Sequence, residues 1–267
     1  MKDFQGKTAV ITGAASGIGL ALAKDFAKRG MNIVAADIEA PKLEEAKQNL
    51  QALGAEVLSL VVDVSNRDSV QNLANAAWDR FGGVHILCNN AGVASSAPMD
   101  KVRYEDWQWL MGVNLWGVIH GVDAFVPRMV EQAQGGHIVN TASMAGLIAS
   151  KGMGVYNTTK YAVVGLSETL HKDMRDYGIG VSVLCPMGVH TGITDSGRNR
   201  PEDLKGEKGP AEPVALVGNY LQPEEVSAMT LKAIEAEELY IVTHPEAAPF
   251  IQRRFERIQS SLAVIHG

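Results

Sequence analysis

Short runs of β-branched and apolar residues alternate along the chain with longer segments in which apolar residues recur at helical spacing. The short runs predict strands at Thr8–Thr12, Asn32–Asp37, Glu56–Val61, His85–Asn89, His137–Thr141, Gly180–Cys185 and Leu239–Thr243. The longer segments predict helices at Ile18–Arg29, from Pro41, at Arg67–Phe81, from Tyr104 to about Gln132, at Tyr156–Tyr177, at Gln222–Glu237 and from Glu246 to about Gln259. Strands separated by helices need crossover connections, which favour a parallel sheet with both faces covered. We expect a single α/β domain with a doubly wound parallel sheet of seven strands.

The regular alternation stops between Gly192 and Pro213, where glycine, proline and charged residues are frequent. A long segment without secondary structure in a compact domain is usually functional or disordered. We therefore predict a substrate lid at about 192–221, with a plain exposed loop as the alternative. A last strand and helix, at about 239–260, are expected to complete the same domain.

Composition excludes several classes of protein. With 267 residues, 46% hydrophobic and 20% charged, the chain is neither disordered nor collagenous. A net charge of -6 gives no basic surface for nucleic acid. No run reaches the ~18 apolar residues of a membrane span, and no secretory signal opens the chain, so we expect a cytoplasmic location. Neither the histidines nor Cys88 and Cys185 have the spacing of a metal site.

The segment from Thr12 to Gly19 has the sequence of a dinucleotide-binding turn. It reads Thr-Gly-Ala-Ala-Ser-Gly-Ile-Gly and lies where the first predicted strand passes into a helix. Glycines there allow a tight turn and a close approach to a pyrophosphate, which the helix N-terminus attracts. A turn that binds no ligand is the alternative, which this strand-to-helix context disfavours.

Asp37 ends the second predicted strand, roughly 20 residues after the glycine-rich turn. A carboxylate at that spacing accepts hydrogen bonds from the adenosine ribose. A carboxylate at that place repels the 2′-phosphate of NADP. Ile38 beside it brings no cation, and the glycine-rich loop holds no Arg or Lys. We therefore predict NAD as cofactor, with NADP less favoured.

Further motifs follow in a fixed order. They are Asn89-Asn90-Ala91-Gly92, Asn114, Ser143, the Tyr156-x-x-x-Lys160 pair and Pro186-Met187-Gly188-Val189-His190-Thr191. Together with the glycine-rich turn, this series resembles the classical short-chain dehydrogenase/reductase family over essentially the whole chain. The resemblance implies a Rossmann fold and NAD(P)-dependent chemistry on alcohols and ketones.

The resemblance also implies roles for single residues. Tyr156 is expected to act as general acid/base, Ser143 to bind the substrate oxygen, and Asn114 to anchor a water that leads to Lys160. Lys160, one helical turn from Tyr156, is expected to lower the pKa of the phenol and to hold the nicotinamide ribose. The residues implied in cofactor binding are Gly13, Ser16, Gly17, Ile18, Gly19, Asp37, Ile38, Asp63, Val64, Asn90, Ala91, Gly92, Tyr156, Lys160, Pro186, Gly188, Val189 and Thr191.

The substrate is expected to be a bulky, largely apolar secondary alcohol or ketone. Its predicted wall consists of Met144, Val155, Met187 and His190, with Met153 and Ser95 nearby, and His190 is the only histidine placed near the chemistry. Met187 stands where the family usually has glycine. Arg198 and Arg200 in the lid are available to approach the site. The N-terminal segment, the stretch 120–129 and the ending 239–242 resemble dehydrogenases of benzylic alcohols in lignin-type aryl ethers.

Two other functions stay open at this point. One is an NADPH-linked 3-oxoacyl reductase of the same family, which Asp37 disfavours. The other is a non-catalytic dinucleotide sensor, which the joint presence of Ser143, Tyr156 and Lys160 disfavours. The resemblance further implies a homotetramer, or a homodimer, assembled through the helices around Trp116 and Ala162 and through the C-terminal strand and helix.

Overall fold

A seven-stranded parallel sheet forms the centre of the molecule, in the strand order β3-β2-β1-β4-β5-β6-β7. This is a computed structural model that describes residues 1–206 and 219–266. The strands in chain order are Thr8–Thr12, Asn32–Asp37, Val57–Val61, Ile86–Asn89, Gly136–Thr141, Ile179–Cys185 and Tyr240–Val242. The chain reverses its winding direction between β1 and β4, so a crevice opens at their carboxyl ends. The predicted doubly wound fold is confirmed.

Helices cover both faces of the sheet. They are α1 Gly17–Lys28, α2 Ala40–Ala52, α3 Arg67–Phe81, α4 Tyr104–Leu110, α5 Gly117–Gln132, α6 Gly154–Met174, α7 Pro223–Ala236 and α8 Ala248–His266. The bounds of α3 are those predicted, because local chemistry defines both of its ends. The Asn66 side chain accepts a hydrogen bond from the Ser69 N–H at 3.0 Å, and Gly82 ends the helix at φ 73°.

Two apolar layers hold the helices against the sheet. On one face, Leu22 and Phe26 of α1 pack with Ile33 of β2. On the other face, Phe125 and Met129 of α5 pack with neighbouring strands and with α3. These side chains are fully buried, so the sheet has a separate apolar core on each of its faces.

The helical segment Tyr104–Gln132 contains a π-helical turn at Met111–Trp116, which the sequence did not predict. Asn114 lies in this turn, is fully buried and exchanges two hydrogen bonds with the Val93 backbone, at 2.8 and 2.9 Å. Its amide therefore fixes the position of the wide turn. The whole segment is long and apolar enough to span a membrane, but 56% of its apolar window is buried in this protein, as is usual for a core helix.

Most predicted boundaries shift by one to three residues, and two regions after β6 differ more. The segment from Gly192, predicted to lack regular structure, forms short 3-10 turns at Gly192–Asn199 and Glu202–Leu204. The Arg198 guanidinium closes the first turn by donating to the Gly192 and Asp195 carbonyls, at 3.1 and 2.8 Å. Residues 207–218 of the predicted lid lie outside the described residues. The last helix continues past the predicted end, to His266.

Candidate active site

The glycine-rich turn joins β1 to α1 and exposes the helix N-terminus. Gly13 and Gly17 adopt positive φ angles of 68° and 54°, which residues with a side chain rarely adopt. Ser16 precedes the helix in an extended conformation, and its side chain makes no capping hydrogen bond within the described part of the chain. The first amide groups of α1 are thus available to an anion.

A cavity of about 690 Å³ opens above this turn, at the carboxyl ends of the strands. Most residues predicted to bind cofactor line it: Gly13, Ser16, Gly17, Ile18, Asp37, Ile38, Asp63, Val64, Asn90, Ala91, Gly92, Tyr156, Lys160, Pro186, Val189 and Thr191. Gly19 and Gly188 are not part of this wall. A Cβ at Gly19 would lie 2.1 Å from the Gly13 carbonyl oxygen, so this glycine permits close packing inside the turn.

Asp37, Glu39 and Arg198 mark one end of the cavity, which we call the carboxylate end. The Asp37 carboxylate accepts backbone N–H groups from Ala15 and Glu39, each at 3.0 Å. Arg198 reaches this end from the segment after β6 and donates to both oxygens of Glu39, at 3.0 and 2.7 Å. Arg198 thus lines the cavity at its carboxylate end, and its approach to a bound substrate stays a prediction.

Thr12 and Asn90 join β1 to the loop after β4 in the middle of the cavity. The Thr12 hydroxyl oxygen accepts the N–H groups of Asn90 and Ala91, at 2.9 and 3.1 Å. The Asn90 amide in turn donates to the Thr12 carbonyl at 3.0 Å. Thr12 was not predicted as a site residue, although its place at the end of a strand beside the glycine-rich turn was a sequence signal for it.

Ser143, Tyr156 and Lys160 mark the opposite end, which we call the tyrosine end. Tyr156 and Lys160 lie one turn apart on α6, and the Lys160 Nζ is 5.6 Å from the centre of the phenol ring. That ammonium group donates to the Thr141 carbonyl at 2.9 Å. The Ser143 hydroxyl donates to the Pro186 carbonyl at 3.3 Å, so β5, β6 and α6 meet at this point.

Burial governs the ionisation of the tyrosine end. It raises the pKa of the Tyr156 phenol, and a hydrogen bond with Ser143 acts in the opposite direction. Burial lowers the pKa of Lys160 from 10.5 to about 8. Burial is thus the larger influence on Tyr156, and the expected lowering of its pKa by Lys160 stays a prediction.

Asn114 lies behind the tyrosine end and does not line the cavity. A Cβ at Gly92 would lie 3.4 Å from the Asn114 Oδ1 and 3.7 Å from the Lys160 Nζ, so Gly92 separates the two side chains. The absence of a side chain at Gly92 allows this close arrangement. The role of Asn114 as anchor of a water molecule stays a prediction.

His244 supports the segment from Pro186 to Gly188, although no sequence motif predicts it at the site. Its Nδ1 accepts the Met187 N–H at 3.4 Å, while its Nε2 is 3.2 Å from the Gly188 carbonyl and 3.0 Å from that of Asn219. Two carbonyl acceptors require the proton on Nε2. The prediction that His190 is the only histidine near the site is thus wrong. His244 follows the end of β7, where side chains join the same crevice.

Apolar side chains surround the tyrosine end. Those that line the cavity are Trp109, Met144, Ile148, Met153, Met187, Tyr220, Ala247 and Phe250, and Ser95 lies among them. Of the predicted wall, Val155 and His190 lie outside. Val155 borders a separate small cavity of about 10 Å³, and the exposed His190 ring stacks on Tyr220 with centroids 5.2 Å apart. Arg200 pairs with Asp106 at 2.6 Å and lies outside this wall.

A family model described as short chain dehydrogenase matches residues 7–202 of this chain. The chain belongs to the short-chain dehydrogenase/reductase family. The family resemblance and the predicted Rossmann fold are thereby confirmed. The dehydrogenase activity of the family, on alcohols and ketones, is the activity class of this protein.

Three relatives of this short-chain dehydrogenase bear on its function. A C alpha-dehydrogenase of Sphingobium sp. (strain NBRC 103272 / SYK-6) is 36% identical over 98% of this chain and 88% of the relative. A 3beta-hydroxysteroid dehydrogenase 2 of Eggerthella lenta is 37% identical over 84% of this chain and 85% of its own length. A crystal structure of a short chain dehydrogenase/reductase from Burkholderia phymatum in complex with NAD has a TM-score of 0.91 and 43% identity, covering 98% of this chain and 97% of that one.

The cavity of this short-chain dehydrogenase fits a dinucleotide such as NAD. The amide groups at the start of α1 suit a pyrophosphate, and the Asp37 carboxylate keeps lone pairs for a ribose hydroxyl. Tyr156 and Lys160 line the same cavity as these two groups. Among residues 1–206 and 219–266, no cluster of three His, Cys, Asp or Glu has the arrangement of a metal site.

Proposed function

We propose that this protein is an NAD-dependent dehydrogenase that transfers hydride between nicotinamide and the carbon of a bulky, largely apolar secondary alcohol or ketone. The observation that carries the proposal is the shared cavity. Asp37 lies at one end of it, and Ser143, Tyr156 and Lys160 lie at the other, inside a wall of methionine and aromatic side chains. NAD is the cofactor, and its nicotinamide supplies the hydride acceptor when bound.

Tyr156 is the general acid/base in this proposal. A hydroxyl group of the substrate placed near the Tyr156 phenol loses its proton to that oxygen during oxidation and regains it during reduction. The Ser143 hydroxyl binds the same substrate oxygen, so the reacting carbon is held in one orientation. Lys160 stays anchored on the Thr141 carbonyl and presents its charge to the phenol, which favours the phenolate as the proton moves.

The wall around the tyrosine end favours a bulky, apolar and possibly aromatic substrate class over an anionic one. Trp109, Met153 and Phe250 offer flat or adaptable apolar surface. Arg198 and Arg200 are each paired with a carboxylate, so the charge of each guanidinium is already offset within the protein and neither offers an unpaired cation to an acyl-carrier phosphate. The relatives named C alpha-dehydrogenase and 3beta-hydroxysteroid dehydrogenase support a bulky alcohol, and the first supports the resemblance to dehydrogenases of aryl ethers.

We further propose a homotetramer, or a homodimer, in the cytoplasm. Exposed apolar side chains lie where the family resemblance places the subunit contacts: Trp116 beside α5, Tyr240 and Val242 on the edge strand β7, and Phe255, Ile258 and Leu262 on α8. Exposed apolar area of this extent favours association. Light scattering at several protein concentrations tests the assembly, and a monomer at micromolar concentration would contradict it.

The activity is tested by following absorbance at 340 nm with NAD or NADP and a panel of secondary alcohols, from small aliphatic to bulky aryl and alicyclic ones. We expect oxidation with NAD that increases with the apolar bulk of the alcohol. A strong preference for NADPH and a 3-oxoacyl substrate would instead support the reductase of the same family. Binding of NADH without turnover of any substrate in the panel would support the sensor.

Tyr156→Phe tests the assigned chemistry. The variant keeps the ring and its packing but removes the hydroxyl group, so we expect turnover to fall by at least about 100-fold, within the range for loss of a general acid/base. NADH binding, measured by fluorescence, should be unchanged. Tyr161→Phe, on the same helix, is the matched control and should keep full activity. An active Tyr156→Phe enzyme would contradict the role.

A further inference from the structure

The carboxylate end contains a cation that lies far away in the sequence. Arg198 follows Glu39 by 159 residues, yet its side chain lines the same wall as Asp37 and Glu39. The pKa of the Arg198 guanidinium is raised, mainly by its hydrogen bond to Glu39 and, to a lesser extent, by the nearby charges of Asp195 and Asp37. The sequence-based preference for NAD assumed that no cation stands at this end. The structure brings one there.

Glu39 fully occupies one side of this guanidinium. The Nε and Nη2 atoms of Arg198 donate to the two carboxylate oxygens, at 3.0 and 2.7 Å, which is the paired geometry of a strong charge-assisted contact. The Arg198 Nη1 donates hydrogen bonds to the carbonyls of Gly192 and Asp195. Lys42 also donates to Glu39, at 3.0 and 3.2 Å. The hydrogen bond from Arg198 is the main reason that the pKa of Glu39 falls to about 2, so Glu39 is charged at neutral pH.

The negative charges at this end outnumber the positive ones. Asp37, Glu39 and Asp195 carry one negative charge each, whereas Arg198 and Lys42 carry one positive charge each. A 2′-phosphate adds nearly two negative charges beside Asp37 and would need a free cation in return. A guanidinium is well suited to bind a phosphate, and here four of its five N–H donors are already used within the protein.

We propose that Glu39 is a second cofactor-selectivity residue: it engages the Arg198 guanidinium and so prevents that group from binding the 2′-phosphate of NADP. Asp37 repels the phosphate directly. Glu39 acts indirectly, because it pairs with Arg198, the arginine that lines the carboxylate end in the described part of the chain. This inference rests on the proposed use of NAD by this protein. It assigns the selectivity to a pair of residues, Glu39 and Arg198, in addition to the strand-end carboxylate.

The test is a double-mutant cycle, with NAD⁺ and NADP⁺ binding to the purified full-length protein measured by titration calorimetry. Glu39→Gln removes the charge and keeps the shape of the side chain. We expect NADP⁺ to bind about tenfold more tightly to this variant, equivalent to about 1.4 kcal/mol, with little change for NAD⁺. The gain should be lost in the Glu39→Gln/Arg198→Gln double variant, and it should shrink at high salt because the contact is ionic.

Glu56→Gln is the matched control. It breaks another glutamate–arginine pair, Glu56–Arg80 at 2.8 Å, whose residues do not line the cavity. It should change neither affinity. An equal change of both affinities in Glu39→Gln would show that the pair only fastens the lid segment and would overturn the inference. So would an NADP⁺ gain that persists without Arg198, or no gain at all.

The calorimetric measurement separates the two proposals, since it needs no alcohol. If the wild type binds NAD⁺ and Glu39→Gln does not raise the affinity for NADP⁺, only the inference about Glu39 is contradicted. A wild-type protein that prefers NADP⁺ contradicts the proposed function, and with it the selectivity assigned to Glu39.

Discussion

The carboxylate end of the cavity stabilises charged side chains, whereas the tyrosine end stabilises neutral ones. At the carboxylate end, Glu39 is paired with Arg198 and Lys42, and its pKa falls to about 2, so the charged form is the stable one. At the tyrosine end, burial lowers the pKa of Lys160 and raises that of Tyr156, so both groups are displaced toward their neutral forms. The first end holds fixed charges for recognition. The second holds Tyr156 in its neutral, proton-carrying form and brings Lys160 closer to its change of charge.

Lys160→Met tests the cost of a buried cation at the tyrosine end and should give the largest effect on stability. At pH 7 Lys160 is protonated in both the folded and the unfolded protein, so the full cost of burying its charge is present. We expect the Met variant to exceed the wild type in free energy of unfolding by up to roughly 3 kcal/mol at that pH.

The stability difference should depend on pH in a defined direction. Between about pH 8 and 10.5 the folded protein has released the Lys160 proton while the unfolded chain still binds it. The free energy of unfolding of the wild type therefore rises with pH in this window relative to that of the Met variant. The difference between the two free energies becomes smaller as a result. Urea unfolding at several pH values measures it. Lys172→Met, on the exposed face of α6, is the control, and a difference that does not vary with pH would refute the explanation.

Asp37→Asn tests the fixed charge of the carboxylate end. The amide keeps the size of the side chain but no longer repels a phosphate, and it accepts hydrogen bonds from a ribose more weakly. We expect the ratio of kcat/KM for NADP to that for NAD to rise by about 100-fold, equivalent to about 2.8 kcal/mol. Asp123→Asn breaks an exposed ion pair with Arg67 and should leave the ratio unchanged. Unaltered selectivity in Asp37→Asn would remove the cofactor assignment.

Met187→Ala tests the apolar wall and should give the smallest effect. Shortening this side chain removes contact with a bulky substrate, so kcat/KM should fall by about tenfold for the largest alcohols in the panel. Small aliphatic alcohols should be little affected. Met229→Ala, on the solvent side of α7, is the control. A uniform loss across the panel would indicate that Met187 only supports the backbone beside His244.

Local patterns were sufficient for the fold and for much of the site. The bounds of β1, β2 and α3 follow from runs and caps within a few residues, and the Tyr156–Lys160 spacing fixes their common helix face. The Arg198–Glu39 pair, the support from His244 and the sign of the Tyr156 pKa shift did not follow in this way. Each depends on segments that are distant in sequence or on the depth of burial, and both are properties of the assembled fold.

The π-helical turn at Met111–Trp116 has a consequence for changes in chain length. A π turn holds about one more residue than an α turn, so loss of one residue there returns the helix to α geometry with both flanking halves in phase. A deletion between Gly117 and Ala124 would instead rotate the remainder of α5 by about 100° and turn Phe125 and Met129 away from the sheet. The helix can therefore shorten beside Asn114 without loss of its core, and such a deletion would displace the amide from Val93 while the protein stays folded.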